Sequence, residues 1–463
     1  MRILLVLPAA EHLRVTRDSP RVPRRKMLRF SVLPLTSVAA LTPEGHAVDM
    51  CDENVEPLDF DQAVDLVGVS FMTASAPRAY EIANEFRRRG VVTVAGGYHP
   101  TFLPKEAAAH FDSVVVGEAE GLWPEVVRDV ERSRLKRIYR HANPPDLAYV
   151  VPPRRELVRR TARHYVTTQA VQTGRGCRHA CRYCSVTAFY GARHRSRPMD
   201  AVLGELRRAD RDMIFVDDNI IADPDYAQRL FTAMIPLRKR WVSQCSLEIA
   251  DDEALMRLAR RAGCLGLFLG VETTASANLA AMEKSFNCVS RYVDAIGRIR
   301  RSGIGVIAGM IVGMDNDDVS VFHHTLRFLD RTRVDALQLG ILTPLPGTPL
   351  FTDMTREERI LDHDWSHYDF RHVVFRPRRM SPAELQAGAD WLYFQFYRPT
   401  RILRRALWTL AAAGPATALL ALRLNLTYRY DNRHESIRGY DPAKVCATSP
   451  AFKYAYRANR SSG

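Results

Sequence analysis

Three cysteines, Cys177, Cys181 and Cys184, stand in GRGCRHACRYC directly after the apolar run YVTTQAVQT, and no other feature constrains the chain as tightly. Thiolates at i, i+4 and i+7 on one short loop can reach three irons of a [4Fe-4S] cube and leave the fourth iron open to a ligand that is not protein. An open iron means chemistry rather than electron storage. Zinc is the competing reading. It asks for a fourth Cys or His, and only His179 inside the loop and His194 beyond it are near. The position after an apolar strand favours iron and sulfur.

The first 140 residues alternate strand and helix signals. RILLVLP, AVDMCDEN, LVGVSFM, VVTVAGG and DSVVVGEAEG read as strands, APRAYEIANEFRRRG and LWPEVVRDVERS as helices. Strands this apolar, parted by helices, predict an α/β domain with a parallel sheet covered on both faces and ligands at the strands' carboxyl ends. The turns there carry Asp52-Glu53-Asn54, Ser70 to Thr73, Gly96-Gly97-Tyr98-His99-Pro100 and Gly117-Glu118. Paired glycines admit close approach of a large flat or phosphate-bearing ligand, while the lack of GxGxxG speaks against a nicotinamide dinucleotide.

Residues 141–165 are proline-rich and charged, which predicts a linker. Over 166–345 a strand followed by a helix recurs six times, with strands VTTQAVQT, MIFVDD, WVSQCSLEI, LGLFLGVE, GVIAGMIVG and ALQLGIL. Six units predict a partial (β/α)6 barrel, and the cysteine loop follows its first strand at the face where such barrels carry their sites. Asp217, Glu248 and Glu272 end the second, third and fourth strands. An acid there is poorly explained by packing, because burying it unpaired is unfavourable. Residues 346–463 read as a helical cap that closes the cavity to water, with Ser381, Pro382 and Glu384 forming a helix start. Its aromatic residues, among them Tyr368, Phe370, Phe394, Phe396 and Tyr397, suit a core or an amphiphilic ligand. His323 and His324 lie within an amphipathic helix and read as packing or surface residues.

The length of 463 residues allows two ordinary domains and a small third one. The net charge of +14 invites a nucleic-acid reading, but arginine is spread along the whole chain without an interleaved basic and aromatic tract. Two patches are denser, at 14–29 and from Arg398 onward. In the second, roughly 17 apolar residues broken by Gly414 and Pro415 lie between arginines, short for a membrane crossing. A hairpin packed on the protein and a helix pair lying on a membrane both fit that pattern. The other cysteines (Cys51, Cys245, Cys264, Cys288, Cys446) lack ligand spacing and read as small buried hydrophobes of a reducing, cytoplasmic compartment. MRILLVLPAAEHL turns polar too early for a signal peptide and reads as an opening strand.

GCRHACRYC, with Tyr183 as its aromatic residue, resembles the CxxxCxφC signature of the radical S-adenosylmethionine (SAM) superfamily. Over about 1–400, through GHAVDMCDENVEPLDF, VAGGYHPTFLPKEAAAHFDSVVVGEAEG, VDDNI, SLEIADDE and TPLPGTPLF, the chain is similar to its B12-dependent branch. That branch includes hopanoid methylases and the anaerobic magnesium-protoporphyrin monomethyl ester cyclase. The resemblance implies a Rossmann-like (flavodoxin-like) cobalamin-binding domain at 1–140, a radical SAM partial barrel at 166–345 and a mostly helical C-terminal domain at 346–463. It implies that Cys177, Cys181 and Cys184 hold a [4Fe-4S] cluster whose open iron takes SAM. Tyr183 would lie near the adenine, Phe215, Val216, Asp217, Asp218 and Asn219 at the methionine amine, and Glu248 and Glu272 at the ribose or methionyl part. Ser70, Thr73, Gly96, Gly97, Tyr98 and Gly117 would line cobalamin. DxHxxG is absent, so His99 is expected as a loop or corrin-edge contact more than as a cobalt ligand.

The activity implied is C-methylation of an unactivated carbon. A 5'-deoxyadenosyl radical abstracts hydrogen from a small-molecule substrate, methylcobalamin gives the methyl group, and a flavodoxin- or ferredoxin-type donor supplies electrons. A cyclase, mutase or oxidase without net methyl transfer uses the same cofactors and stays open.

Overall fold

The computed structural model describes residues 1–9 and 32–434, so the basic patch at 14–29 and Cys446 lie outside the described residues. The chain forms two compact units. The first holds Met1–Arg178, Ser185–Gln244 and Arg261–Cys264, the second His179–Cys184, Cys245–Arg260 and Leu265–Gly463.

In the first unit six strands pair in parallel: β1 (Arg2–Leu7), β2 (Ala47–Asp52), β3 (Leu66–Ser70), β4 (Val92–Gly96), β5 (Ser113–Val116) and β6 (Ile138–Arg140), in the order β2-β1-β3-β4-β5-β6. The first five match the strands read from the sequence, and their order is that of a flavodoxin-like sheet. Ile3, Leu5, Leu66, Val94 and Val115 bury one face against Trp123 and Val126 of helix Leu122–Glu131. Helix Ala76–Arg88 appears as expected. Helix Leu33–Leu41 and β6 were not anticipated. LPLTSVAAL is apolar on nearly every side and so carries no helical period, and β6 is three residues long with two of them exposed.

The stretch expected as a linker is tied down. Val158 enters the core of the N-terminal sheet, the Arg154 amide donates to the Thr36 carbonyl at 3.0 Å, and the Tyr165 hydroxyl donates to Asp52 at 3.0 Å. Beyond it lie β7 (Ala170–Val171), β8 (Gly174–Gly176), β9 (His194–Ser196), β10 (Asp212–Phe215) and β11 (Arg240–Cys245). Strand β10 pairs in parallel with β7 and β11, while β8 and β9 form an antiparallel hairpin. VTTQAVQT yields only the two-residue β7, because the amides of Thr173 and Gly174 bond to the Asp217 carboxylate instead of extending the ladder.

The second unit contains β12 (Cys264–Glu272) from Leu265 onward, β13 (Gly305–Val312) and β14 (Ala336–Ile341), with β13 paired in parallel to both others. Helix Pro382–Phe396 starts on a capping box: Ser381 Oγ accepts from the Glu384 amide at 3.2 Å, and the Glu384 carboxylate accepts from the Ser381 amide at 2.8 Å. Helix packing also occupies His323, whose ring lies 4.4 Å from that of Trp391. The aromatic set of the cap divides. Tyr368, Phe396 and Tyr397 are core residues, whereas Phe370 and Phe394 are exposed. The outer edge of β14 is finished by other segments. The Tyr397 hydroxyl accepts from the Leu337 amide at 3.1 Å and donates to the Leu337 carbonyl at 2.5 Å, while the Ile341 amide donates to the Phe370 carbonyl at 2.7 Å.

Helical segment Pro399–His434 is broken at Gly414, whose φ of 80° and ψ of 177° are not helical, just before Pro415. Cys51, Cys245 and Cys264 are buried as expected, but Cys288 is exposed. It lies in the turn ahead of helix Tyr292–Arg301, with Sγ 3.2 Å from Ser290 Oγ.

Candidate active site

In the first unit, the segment leading into Cys177 is shaped by two consecutive aspartates beyond β10. Asp217 is fully buried and accepts from Thr173 Oγ1 at 2.6 Å, the Thr173 amide at 3.1 Å and the Gly174 amide at 2.8 Å. Burial pushes its pKa up to about 6 against these bonds. Asp218 accepts from the Gly176 amide at 3.1 Å, and burial likewise raises its pKa to about 6. Both carboxylates therefore grip the backbone that delivers the first cysteine. The neighbouring Phe215 and Asn219 are buried.

One residue earlier on the same hairpin, Arg175 donates to Glu118 at 2.5 Å and Glu120 at 2.6 Å, and Arg195 donates to Glu118 at 2.5 Å. Burial opposes the charge of Glu120, but Arg175 outweighs it and holds the carboxyl below its ordinary range. Removing one partner from such a buried group strands the other charge. Glu118 directly follows Gly117, so this ion cluster joins the carboxyl end of the N-terminal sheet to the loop entering the cysteines.

At that sheet end, a Cβ at Gly96 or Gly117 would meet no atom within 4 Å. The carboxyl ends of β4 and β5 thus present bare backbone to open space, as close approach of a large ligand requires. Gly97 has another role: at φ 101° its Cβ would lie 2.7 Å from the Phe71 carbonyl oxygen, so only glycine lets the chain fold back there. That reversal corrects the expectation for His99. Its ring is fully buried, with Nδ1 3.3 Å from Thr73 Oγ1 and Nε2 3.0 Å from the Tyr80 hydroxyl. The imidazole and Thr73 therefore belong to the interior of the domain and not to a ligand face. Tyr98 stacks on Phe189 at 4.6 Å, and Ser70 ends β3 half-buried.

In the second unit, the Cys184 amide donates to the Cys181 carbonyl at 3.0 Å, which closes the loop into a tight turn. Arg182 fixes it through ion pairs with Glu283, at 3.0 Å, and Asp353. Cys181 is buried, Cys177 and Cys184 half-buried. Among the described residues no three His, Cys, Asp or Glu side chains converge on the position of one ion. A cubane asks instead that three thiolates reach three separate irons, which a CxxxCxxC loop suits.

Glu272 ends β12 with φ 68°, beyond a register shift at Gly270, and its carboxylate accepts from Lys284 Nζ at 2.7 Å. Lys284 Nζ also lies 3.3 Å from the Tyr183 hydroxyl. Burial works against the ammonium, but Glu272 outweighs it and the pKa of Lys284 stays raised. Burial, then Glu272, pushes the Tyr183 phenol up. Glu248 accepts from Ser246 Oγ at 2.8 Å and meets His179 Nε2 at 3.2 Å, while the His179 ring stacks on Phe286 at 3.6 Å. The structure thus brings Tyr183 and Glu272 together through Lys284 and leaves Glu248 in a separate pair with His179. Lys284, Arg175 and the pairing of Arg175 with Glu118 escaped the sequence reading. A signal for the first existed: lysine occurs at only seven of the 66 basic positions, so one inside AMEKSF is unusual for this chain.

Residues 171–329 match the model of the radical SAM superfamily, and residues 29–127 that of the B12 binding domain. A bacteriochlorophyllide d C-12(1)-methyltransferase of Chlorobaculum tepidum is 30% identical over 385 residues, covering 81% of this chain and 84% of that one. This chain is a cobalamin-binding radical SAM enzyme. The bacteriochlorophyllide d C-8(2)-methyltransferase of the same organism is 27% identical over 81% of the enzyme and 87% of its own length. The anaerobic magnesium-protoporphyrin IX monomethyl ester cyclase of Cereibacter sphaeroides is 24% identical over 66% of the enzyme and 55% of its own length. Among solved structures, the radical SAM methyltransferase TsrM from Kitasatospora setae has a TM-score of 0.64 at 16% identity, covering 94% of the enzyme and 99% of TsrM. The cobalamin-dependent radical enzyme OxsB has a TM-score of 0.65 at 14% identity, covering 94% of the enzyme and 71% of OxsB. At these identities the likeness is one of fold. Family membership gives the enzyme a [4Fe-4S] cluster, SAM and cobalamin as cofactors, and carbon-modifying chemistry as its activity.

Proposed function

We propose that the enzyme is a C-methyltransferase acting at an unactivated carbon of an apolar or amphiphilic small molecule. The observation that carries this reading is the 30% identity, over four-fifths of the chain, to a methyltransferase of bacteriochlorophyllide d. The tetrapyrroles named in the relatives are the first candidates to test. When bound, the cluster and SAM supply a hydrogen-abstracting radical and cobalamin carries the methyl group, so the protein's part is placement. Cys177, Cys181 and Cys184 are the thiolate donors. Asp217 and Asp218 hold the backbone entering them, Lys284 keeps Glu272 and Tyr183 oriented, and the open glycines at 96 and 117 leave room for a corrin. We place the enzyme in a reducing cytoplasm with an external flavodoxin- or ferredoxin-type electron donor.

A second reading, ring formation without methyl transfer, is favoured by the likeness to the anaerobic cyclase. Anaerobic incubation of cluster- and cobalamin-loaded enzyme with methyl-labelled SAM, a low-potential reductant and a candidate tetrapyrrole separates the two. Substrate-dependent 5'-deoxyadenosine, S-adenosylhomocysteine and labelled product together support methyl transfer. Substrate-dependent 5'-deoxyadenosine with an unlabelled, altered product and no S-adenosylhomocysteine overturns it in favour of the cyclase reading.

A further inference from the structure

The stretch Pro399–Arg429 is the one described helical region apolar and long enough, at 31 residues, to be weighed as a membrane crossing. Its own geometry argues against crossing. The break at Gly414, followed by the donor-less Pro415, leaves about 15 largely apolar residues on either side, each run roughly 22 Å long, because the second arm, although helical to His434, turns polar after Tyr428 in the sequence RYDNRH. A crossing needs about 20 residues.

One face of the hairpin is fastened to the protein. Thr409 Oγ1 bonds to Asp335, Asn425 Nδ2 donates to the Asp335 carbonyl at 2.7 Å, and Arg405 donates to Asn425 Oδ1 at 2.6 Å across the two arms. These contacts are buried, and straightening the hairpin would strip them.

The opposite face is bare. Leu403, Leu407 and Leu410 follow one another at i, i+4 and i+7 on the first arm, Leu419 and Leu426 at i and i+7 on the second, and each is about half exposed or more. Between the arms, Ala411, Ala412, Pro415 and Ala416 make an exposed tip without a polar side chain. Arginine frames this surface. Arg398, Arg404 and Arg423 are exposed, and the guanidinium groups of Arg404 and Arg333 lie 4.8 and 4.7 Å from the ring of Trp408. From 399 to 429 the chain has five arginines and no Asp or Glu, although Asp330 of helix Val321–Thr332 pairs with Arg401 and Arg404. A two-fold dimer through this face would set these arginines against their own copies. A surface of anionic headgroups over hydrocarbon matches both the leucines and the arginines.

We infer that this hairpin docks the enzyme onto anionic phospholipid bilayers, entering one leaflet by its alanine-proline tip and leucine ridge without crossing. None of these residues is among those proposed to bind a cofactor, so the inference stands whichever substrate the enzyme takes.

The test is co-sedimentation of the full-length, cobalamin-loaded protein with vesicles of phosphatidylcholine alone or with a quarter phosphatidylglycerol. The anionic vesicles should bind the protein more than tenfold better, and added salt should reduce this. Leu403→Ser, Leu407→Ser and Leu419→Ser combined should lower binding about a hundredfold, and Arg423→Gln alone about fivefold. Retained cobalamin absorbance confirms that the triple variant is folded. In Ala412→Trp, quenching of the added indole by lipids brominated near the headgroup, and not by lipids brominated at mid-chain, reports shallow insertion. Equal sedimentation with both vesicle types, or binding untouched by the triple substitution, overturns the inference. A dimer in light scattering that the triple substitution dissociates, with no vesicle binding, also overturns it and assigns the face to a second copy.

Discussion

At the carboxyl ends of β4 and β5 the enzyme withholds side chains, whereas beside the cysteine loop it crowds charged ones together. Gly96 and Gly117 face open space, and the histidine of that loop is turned into the domain. Around Tyr183 the Glu272 carboxylate and the Lys284 ammonium sit 2.7 Å apart and nearly buried. In the proposed reading, a large preformed cofactor is accommodated at the glycines chiefly by leaving room for it. An open iron with a flexible, charged co-substrate asks for fixed charges, which must be paired before the ligand arrives because an unpaired buried charge is strongly unfavourable.

The sharpest way to break this contrast is Cys181→Ala. Formation of 5'-deoxyadenosine should fall about a thousandfold or more and the iron and sulfide content should drop, while cobalamin retention is unchanged. The reciprocal change is Gly96→Leu, which adds bulk where the protein has none. Cobalamin affinity should fall about tenfold to a hundredfold in equilibrium dialysis, with the iron–sulfur absorbance intact. Equal loss of both cofactors in either variant would show that the two regions are not separable.

Lys284→Met tests the charged region by itself. Leaving Glu272 without its partner should remove about 3 kcal/mol of stability in urea unfolding and weaken SAM binding, whereas Lys284→Arg should restore most of the stability. The smallest expected effect concerns a third buried acid. Asp317 accepts from the amides of Gly313 and Met314, both at 3.0 Å, and burial raises its pKa from 3.8 to about 6. Between those values the folded state keeps a proton that the unfolded chain has released, so this group adds stability as pH falls from about 6 to 4. Asp317→Asn should flatten that part of the pH–stability profile, by at most about 3 kcal/mol, as read from urea midpoints at pH 4, 5, 6 and 7.

Much of this architecture is written in local patterns. Strands β1 to β5 are short apolar runs between turn residues, the start at Ser381 is a three-residue signature, and the cysteines stand out by their spacing together with their place after an apolar strand. What escaped depends on distance in sequence. Glu118 and Arg175 are 57 residues apart, and although Glu118 stands out in its turn, nothing local pairs it with Arg175. Lys284 is 12 residues beyond Glu272, and no helical or strand period links them. His99 misled because a histidine after paired glycines looks presented, when the backbone reversal at Gly97 turns it inward. The linker composition at 141–165 reported its proline content correctly and said nothing of Val158, which joins the core of the N-terminal sheet, or of Tyr165, whose partner Asp52 lies 113 residues upstream.

The phenol that completes β14 has a consequence for solubility. An edge strand left bare offers a row of amides and carbonyls on which another chain can add a strand, the first step of sheet-to-sheet aggregation. Tyr397 occupies both groups of Leu337 with a single hydroxyl, and a side chain can extend no ladder. A chain cut before this tyrosine would keep every residue proposed to face a cofactor and still expose an adhesive edge.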